Sequence, residues 1–237
     1  MNRRAKPGLV LVPGLLCDAL LWESQVRALQ GHAECWVADH TRSDTMAGLA
    51  ADLLRDAPFE HFALAGLSMG GYVAFEVVRQ AAHRVTQLAL LDTSARADTP
   101  EQMNKRESLI ALAKRGPFLG VIQALLPFLL HPARLSDCKL VATVKEMAKN
   151  TGCETFIRQE RAIMSRAESL PLLPLIACPT LVLCGKQDTL TPPDRHEEMA
   201  SAIPGASLHI VDDCGHLSTL EEPAAVSAAL KRWLSAE

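Results

Sequence analysis

The sequence predicts an α/β protein, a mostly parallel sheet with helices on both faces and an inserted helical cap. Three observations predict it. Short apolar runs alternate with longer helical patterns over most of the 237 residues; the alternation lapses between about residues 97 and 174; and one apolar run, in "HFALAGLSMGG" (61–71), ends in a serine boxed by glycines. Alternation of this kind is the mark of βαβ units.

The strands are expected at "GLVLV" (8–12), "CWVAD" (35–39), "HFALAG" (61–66), "VTQLALLD" (85–92), "PTLVLCG" (179–185) and "ASLHIVD" (206–212). Being apolar on both faces, they suit strands covered by helices on each side. Helical patterns fill 44–56, 69–82, 193–203 and 222–235. The opening "MNRRAKPGLVLVPGLL" imitates a secretion signal, with basic residues before apolar ones. Pro7, Pro13 and Gly14 interrupt it, however, and it is far too short to span a bilayer, so it reads as a strand entering a turn.

From 97 to 174 the pattern is wholly helical, with breaks near Gly116-Pro117, His131-Pro132 and Asn150-Thr151-Gly152. The expected organisation is therefore a core of residues 1–96 and 175–237 with a cap of 97–174. The stretch "PFLGVIQALLPFLL" (117–130) is apolar enough to wall a binding cavity, with Phe118, Ile122 and Leu126 as candidate wall residues. The cap carries 11 basic against 8 acidic residues, which reads as solvated helix faces or, more sharply, as an arginine turned to substrate.

A net charge of −3 and the lack of a long basic run disfavour nucleic-acid or membrane-surface partners. Seven cysteines form no C-x-x-C pair and read as reduced thiols of a cytoplasmic protein. No clustered His/Cys/Asp spacing suggests a metal.

Ser68 could cap a helix, cradle a phosphate or act as a nucleophile. The first strand lacks a following G-x-G-x-x-G and no Walker-type lysine follows Ser68, which disfavours the phosphate. Gly66-Leu67-Ser68-Met69-Gly70 fits G-x-S-x-G between a strand and a helix, where a sharp turn lifts the serine side chain out of the sheet. A serine hydroxyl is a weak nucleophile and needs a base, and the base needs an orienting acid. Asp188 in "LVLCGKQDTLTP" and His216 in "IVDDCGHLSTLEEP" each follow a strand, and loops at the carboxyl ends of parallel strands gather on one edge. Asp92, Asp212 and Asp213 are competing acids. The other seven histidines, His32, His40, His61, His83, His131, His196 and His209, read as structural, and Cys17 and Cys214 as packing residues. Oxyanion donors are expected from the backbone N–H of Met69, at a helix N-terminus, and of Leu15, in the loop after the first strand.

"VPGLLCDALLWESQ", "LAGLSMGGYVAFEVV", "LVLCGKQDTLTP" and "VDDCGHLSTLEEP" together resemble the motifs of the α/β-hydrolase fold, from residue 8 to the end. Within that superfamily the chain resembles the small bacterial capped serine esterases, pimeloyl-carrier-protein methyl esterases among them, and the related carbon–carbon bond hydrolases and lactonases. The resemblance implies hydrolysis of a small-molecule acyl substrate, an ester, lactone or thioester, through an acyl-enzyme on Ser68, His216 and Asp188 without a cofactor. A carbon–carbon hydrolase or lyase, or a non-catalytic ligand-binding protein, are the alternatives; acyl group, leaving group and oligomeric state stay open. The chain departs from the common pattern in having Pro13-Gly14 where many relatives have His-Gly. With about six residues before the first strand, it is also expected to lack the opening antiparallel strands.

Overall fold

A computed structural model describes residues 6–236; residues 1–5, the start of the basic opening, and residue 237 lie outside the described residues. Six strands, β1 (Gly8–Val12), β2 (Glu34–Val37), β3 (Phe62–Leu67), β4 (Val85–Leu91), β5 (Thr180–Gly185) and β6 (Ser207–Val211), form one sheet in the order β2-β1-β3-β4-β5-β6. Every pairing is parallel, so among the described residues the sheet is wholly parallel. Parallel strands need crossovers, and the helices supply them: α1 (Glu23–Leu29), α2 (Met46–Asp56), α3 (Met69–Ala81), then α4 (Pro100–Arg115), α5 (Phe118–Leu129), α6 (Cys138–Thr151) and α7 (Cys153–Met164) between β4 and β5. The chain closes with α8 (Pro193–Ala202), α9 (Ser218–Glu221) and α10 (Pro223–Leu234).

The continuous apolar strands sort by parity. Val10, Val12, Leu64, Leu88, Leu90 and Val182 pack on one face with α2, α3 and α8, while Leu9, Leu11, Ala63, Ala65, Leu91 and Leu183 pack on the other with α1 and α10. That is the period of two expected of a pleated strand, hidden in the sequence because both faces are covered. The short helix α1 was not foreseen between the first two strands.

Glycines bring α3 against the sheet. A Cβ on Gly70 would lie 2.1 Å from Val12 O, and one on Gly71 would lie 2.4 Å from Thr93 Oγ1, so only glycine lets this helix begin so close to β1 and β4. The strand order reverses between β1 and β3, and the loops after these two strands flank the crevice that such a reversal opens.

Helices α4 to α7 occupy the stretch expected to be wholly helical. Leu16, Ile110, Val121, Ile122, Phe156 and Ile157 form an apolar cluster against which Leu15 and Phe118 pack, so these helices roof the loop after β1. Leu126 departs from the expectation that groups it with Phe118 and Ile122. It lies one helical turn beyond Ile122 and packs with Leu130, Val144 and Met147 into the sheet's lower cluster. The arginines of this segment are mostly tied. Arg106 bridges Asp98 and Glu160, Arg166 pairs with Asp98 and lies 4.3 Å over the Tyr72 ring, and Arg158 donates to Thr41 O. Glu160 and Asp98 hold Arg106 charged despite its burial. Among the described residues no helix is long and apolar enough to cross a membrane.

Candidate active site

Ser68 sits between β3 and α3 with φ 55° and ψ −115°, a strained conformation for a residue with a side chain. Surrounding bonds fix it: the Ser68 N–H donates to Leu91 O at 2.9 Å, and Thr93 Oγ1 and the Gly71 N–H donate to Ser68 O at 2.8 and 2.9 Å. Gly66 is required because a Cβ there would lie 2.2 Å from Gly70 O. The turn thus projects a half-buried hydroxyl at the carboxyl edge of the sheet.

His216, in the loop after β6, is buried, and its Nε2 accepts from Ser68 Oγ at 2.8 Å across 148 residues of sequence. Its Nδ1–H donates to Asp188 Oδ2 at 2.7 Å. Burial alone would lower the imidazole pKa, but the Asp188 charge and hydrogen bond outweigh it and raise it above the ordinary 6.5. Asp188 is likewise buried, and here His216, with donors from Thr191, outweighs desolvation and holds the carboxyl below its usual range.

Asp188 is well supplied with donors. Its Oδ1 accepts from the N–H groups of Leu190 and Thr191, and its Oδ2 also accepts from Thr191 Oγ1 at 2.7 Å. Thr191 was missed by the sequence reading, although "DTLT" carries its signal: an aspartate capping its own turn three residues on. Glu221 was missed as well. Its carboxylate accepts from the N–H groups of Gly215 and Leu217, on either side of His216, and from the N–H of His131 at the end of α5.

The competing acids lie elsewhere. Asp92 is fully buried but accepts from the Gly185 N–H and from Ser218, whereas Asp212 is exposed and pairs with Lys186, and Asp213 is exposed. Of the histidines read as structural, His196 is buried and bonded: its Nε2 accepts from the Thr93 N–H, and burial pushes its pKa down to about 4. Cys17, whose thiol burial pushes up to about 12, donates to Leu15 O.

Met69 follows Ser68 at the start of α3, and Leu15 follows Gly14, on which a Cβ would lie 3.4 Å from Ser68 Cβ; neither the Met69 nor the Leu15 N–H has a hydrogen-bond acceptor among the described residues. The neighbouring Leu16 N–H is taken by Gln159 Oε1 at 3.1 Å. Among the described residues no group of three or more His, Cys, Asp or Glu side chains is placed to hold a metal ion. A hydroxyl bonded to a buried imidazole, and that imidazole bonded to a buried carboxylate, can pass a proton from an attacking oxygen.

The family model described as alpha/beta hydrolase fold matches residues 7–223. A thermophilic esterase from Thermogutta terrifontis is 29% identical with TM-score 0.88, covering 97% of this chain and 90% of that one. The enol-lactonase from Burkholderia xenovorans LB400 is 25% identical with TM-score 0.88, covering 98% and 93%. A 2-hydroxy-6-oxononadienedioate/2-hydroxy-6-oxononatrienedioate hydrolase from Paraburkholderia xenovorans is 26% identical over 87% of this chain and 71% of the relative.

Proposed function

We propose that this chain, which belongs to the alpha/beta hydrolase fold family, is a serine hydrolase that cleaves carboxylic esters or related acyl compounds through an acyl-enzyme. The observation that carries the reading is the line of hydrogen bonds from Ser68 Oγ to His216 at 2.8 Å and from His216 to Asp188 at 2.7 Å. Ser68 attacks the acyl carbon while His216 Nε2 takes its proton. Asp188 fixes the imidazole with Nδ1 protonated and stabilises the imidazolium. The Met69 and Leu15 N–H groups receive the oxyanion; as it collapses, His216 returns the proton to the leaving group. Water, deprotonated by the same imidazole, then releases the acid.

Helices α4–α7 and their flanks, residues 97–174, act as the cap that encloses the acyl group, and the apolar cluster around Ile122 and Phe156 favours an acyl chain without charge. The similarity to an esterase and an enol-lactonase, each with TM-score 0.88, supports an ester or lactone as the substrate class. The reduced-thiol reading of the cysteines goes with a cytoplasmic site of action.

The test is a fluorophosphonate probe together with a screen of p-nitrophenyl esters of increasing chain length, lactones and dienones. Labelling is expected at Ser68. Ser68→Ala should lose both the label and at least about 10⁴-fold in ester turnover. Near-normal turnover in that variant overturns the mechanism, and turnover of the dienones alone moves the substrate class.

A further inference from the structure

Gln159 lies on α7, 143 residues from the loop after β1, and is fully buried. A buried carboxamide costs desolvation free energy that an apolar side chain of the same volume would not, unless its polar atoms are matched. Here they are matched by the loop. The Leu16 N–H donates to Gln159 Oε1 at 3.1 Å, which fixes the amide's orientation, since only its oxygen can accept. The amide nitrogen then faces His40 Nε2 at 3.1 Å, and that same ring nitrogen lies 3.0 Å from Gly14 O. In one tautomer His40 donates to Gly14 O and in the other it accepts from Gln159, so in either it braces the segment from Gly14 to Leu16.

The segment needs bracing. Leu16 holds φ 60°, a left-handed conformation that a leucine adopts only under constraint, and its N–H and that of Leu15 lie on adjacent peptide units joined at the Leu15 Cα. The Leu15 N–H belongs to the Gly14–Leu15 peptide, whose carbonyl, Gly14 O, accepts from the Cys17 N–H at 3.1 Å and lies 3.0 Å from His40 Nε2, so rotation of that peptide would break these contacts and re-aim the Leu15 N–H. We propose that Gln159 is a positioning residue for the oxyanion site: by binding the Leu16 N–H and backing the His40 ring that faces Gly14 O, it holds the peptides on both sides of the Leu15 Cα so that the Leu15 N–H faces the reacting carbonyl, linking cap helix α7 to catalysis. This rests on the serine-hydrolase reading above. It adds that the cap acts on the chemical step as well as on substrate choice.

The experiment compares Gln159→Met, which keeps the volume and removes the acceptor, with Gln159→Glu, which keeps an acceptor oxygen. Both are assayed on p-nitrophenyl acetate, an ester too small to depend on the cap's walls. Gln159→Met is expected to lower kcat about 100-fold, the scale of a displaced catalytic donor, with KM changed less than about threefold. Fluorophosphonate should still label Ser68, more slowly. Gln159→Glu should recover at least about tenfold of the lost kcat. Amide hydrogen exchange at Leu16 should rise in the methionine variant and stay low in the glutamate variant, a readout that does not depend on Ser68 being the nucleophile. If the methionine variant does not fold, His40→Leu tests the same brace from the other side, and kcat should fall by at least about tenfold. Unchanged kcat, a loss in KM alone, or equal losses in the methionine and glutamate variants overturns the proposal. Failure of the mechanism itself would show separately, as full turnover in Ser68→Ala.

Discussion

The Asp92 carboxylate closes on Ser218, two residues past His216, and not on His216 itself. Asp92 Oδ2 accepts from the Ser218 N–H and hydroxyl, while Oδ1 accepts from the Gly185 N–H at 3.0 Å. Asp92 therefore ties the end of β5 to the start of α9, while Nδ1 of His216 is taken by Asp188. On the proposed mechanism Asp188→Asn lowers kcat by roughly 10³ to 10⁴ through the wrong imidazole tautomer, while Asp92→Asn costs far less. Steady-state kinetics on one ester checks this; the reverse ranking would make Asp92 the acid.

Asp92 should also mark the pH dependence of stability. Burial, and then the nearby Asp188 charge, push its carboxyl from 3.8 up to about 8. A group whose folded pKa is raised binds its proton more tightly in the folded state, so its contribution is full below about 3.8 and is lost as pH rises towards 8. Asp92→Asn, which cannot titrate, should flatten the unfolding free energy between pH 5 and about 8, measured by urea melts. An unchanged slope across that window would mean that Asp92 is ionised throughout.

The fold was legible because each strand is bounded by turn residues and each apolar run is doubly covered, as in 8–12, 61–66 and 179–185, which match β1, β3 and β5 to within a residue. Ser68, Asp188 and His216 were legible because each follows a strand whose end lies on one edge. Gln159 and Glu221 were not. The first meets its partner 143 residues away through helix packing, and the second bonds backbone groups that have no side-chain signature. That Leu126 packs in a different cluster from Ile122 was not legible either, because an apolar helix has no polar stripe to tell its faces apart.

The different packing of these two residues becomes a prediction for the helices between β4 and β5. Ile122 packs with Leu16 and Phe156 over the loop after β1, whereas Leu126 packs with Val144 and Met147 below. Ile122→Ala should therefore change the ratio of kcat/KM between long and short p-nitrophenyl esters. Leu126→Ala should leave the ratio unchanged and cost about 2–5 kcal/mol of stability. A shifted ratio in the Leu126 variant would place that side chain in the acyl pocket.

The last prediction concerns the acid limb of the pH–rate profile. His216 acts as a base only when neutral, so kcat/KM must fall as pH drops through its pKa in the free enzyme. Burial disfavours the imidazolium, but Asp188, 2.7 Å from Nδ1, favours it more, and the net displacement is upward from 6.5. The limb should therefore have its midpoint above pH 6.5 in the native protein. In Asp188→Asn the nearest countercharge and its hydrogen bond are gone while the burial remains, with Asp92 and Glu221 still favouring the imidazolium more weakly, so the His216 pKa falls and the residual activity should persist to lower pH than in the native protein. Two profiles on a small activated ester, whose hydrolysis is followed through its acyl-enzyme burst, compare the limbs directly. A native midpoint below 6.5, or a limb unmoved by Asp188→Asn, would mean that the His216–Asp188 pair does not set the protonation of the catalytic base.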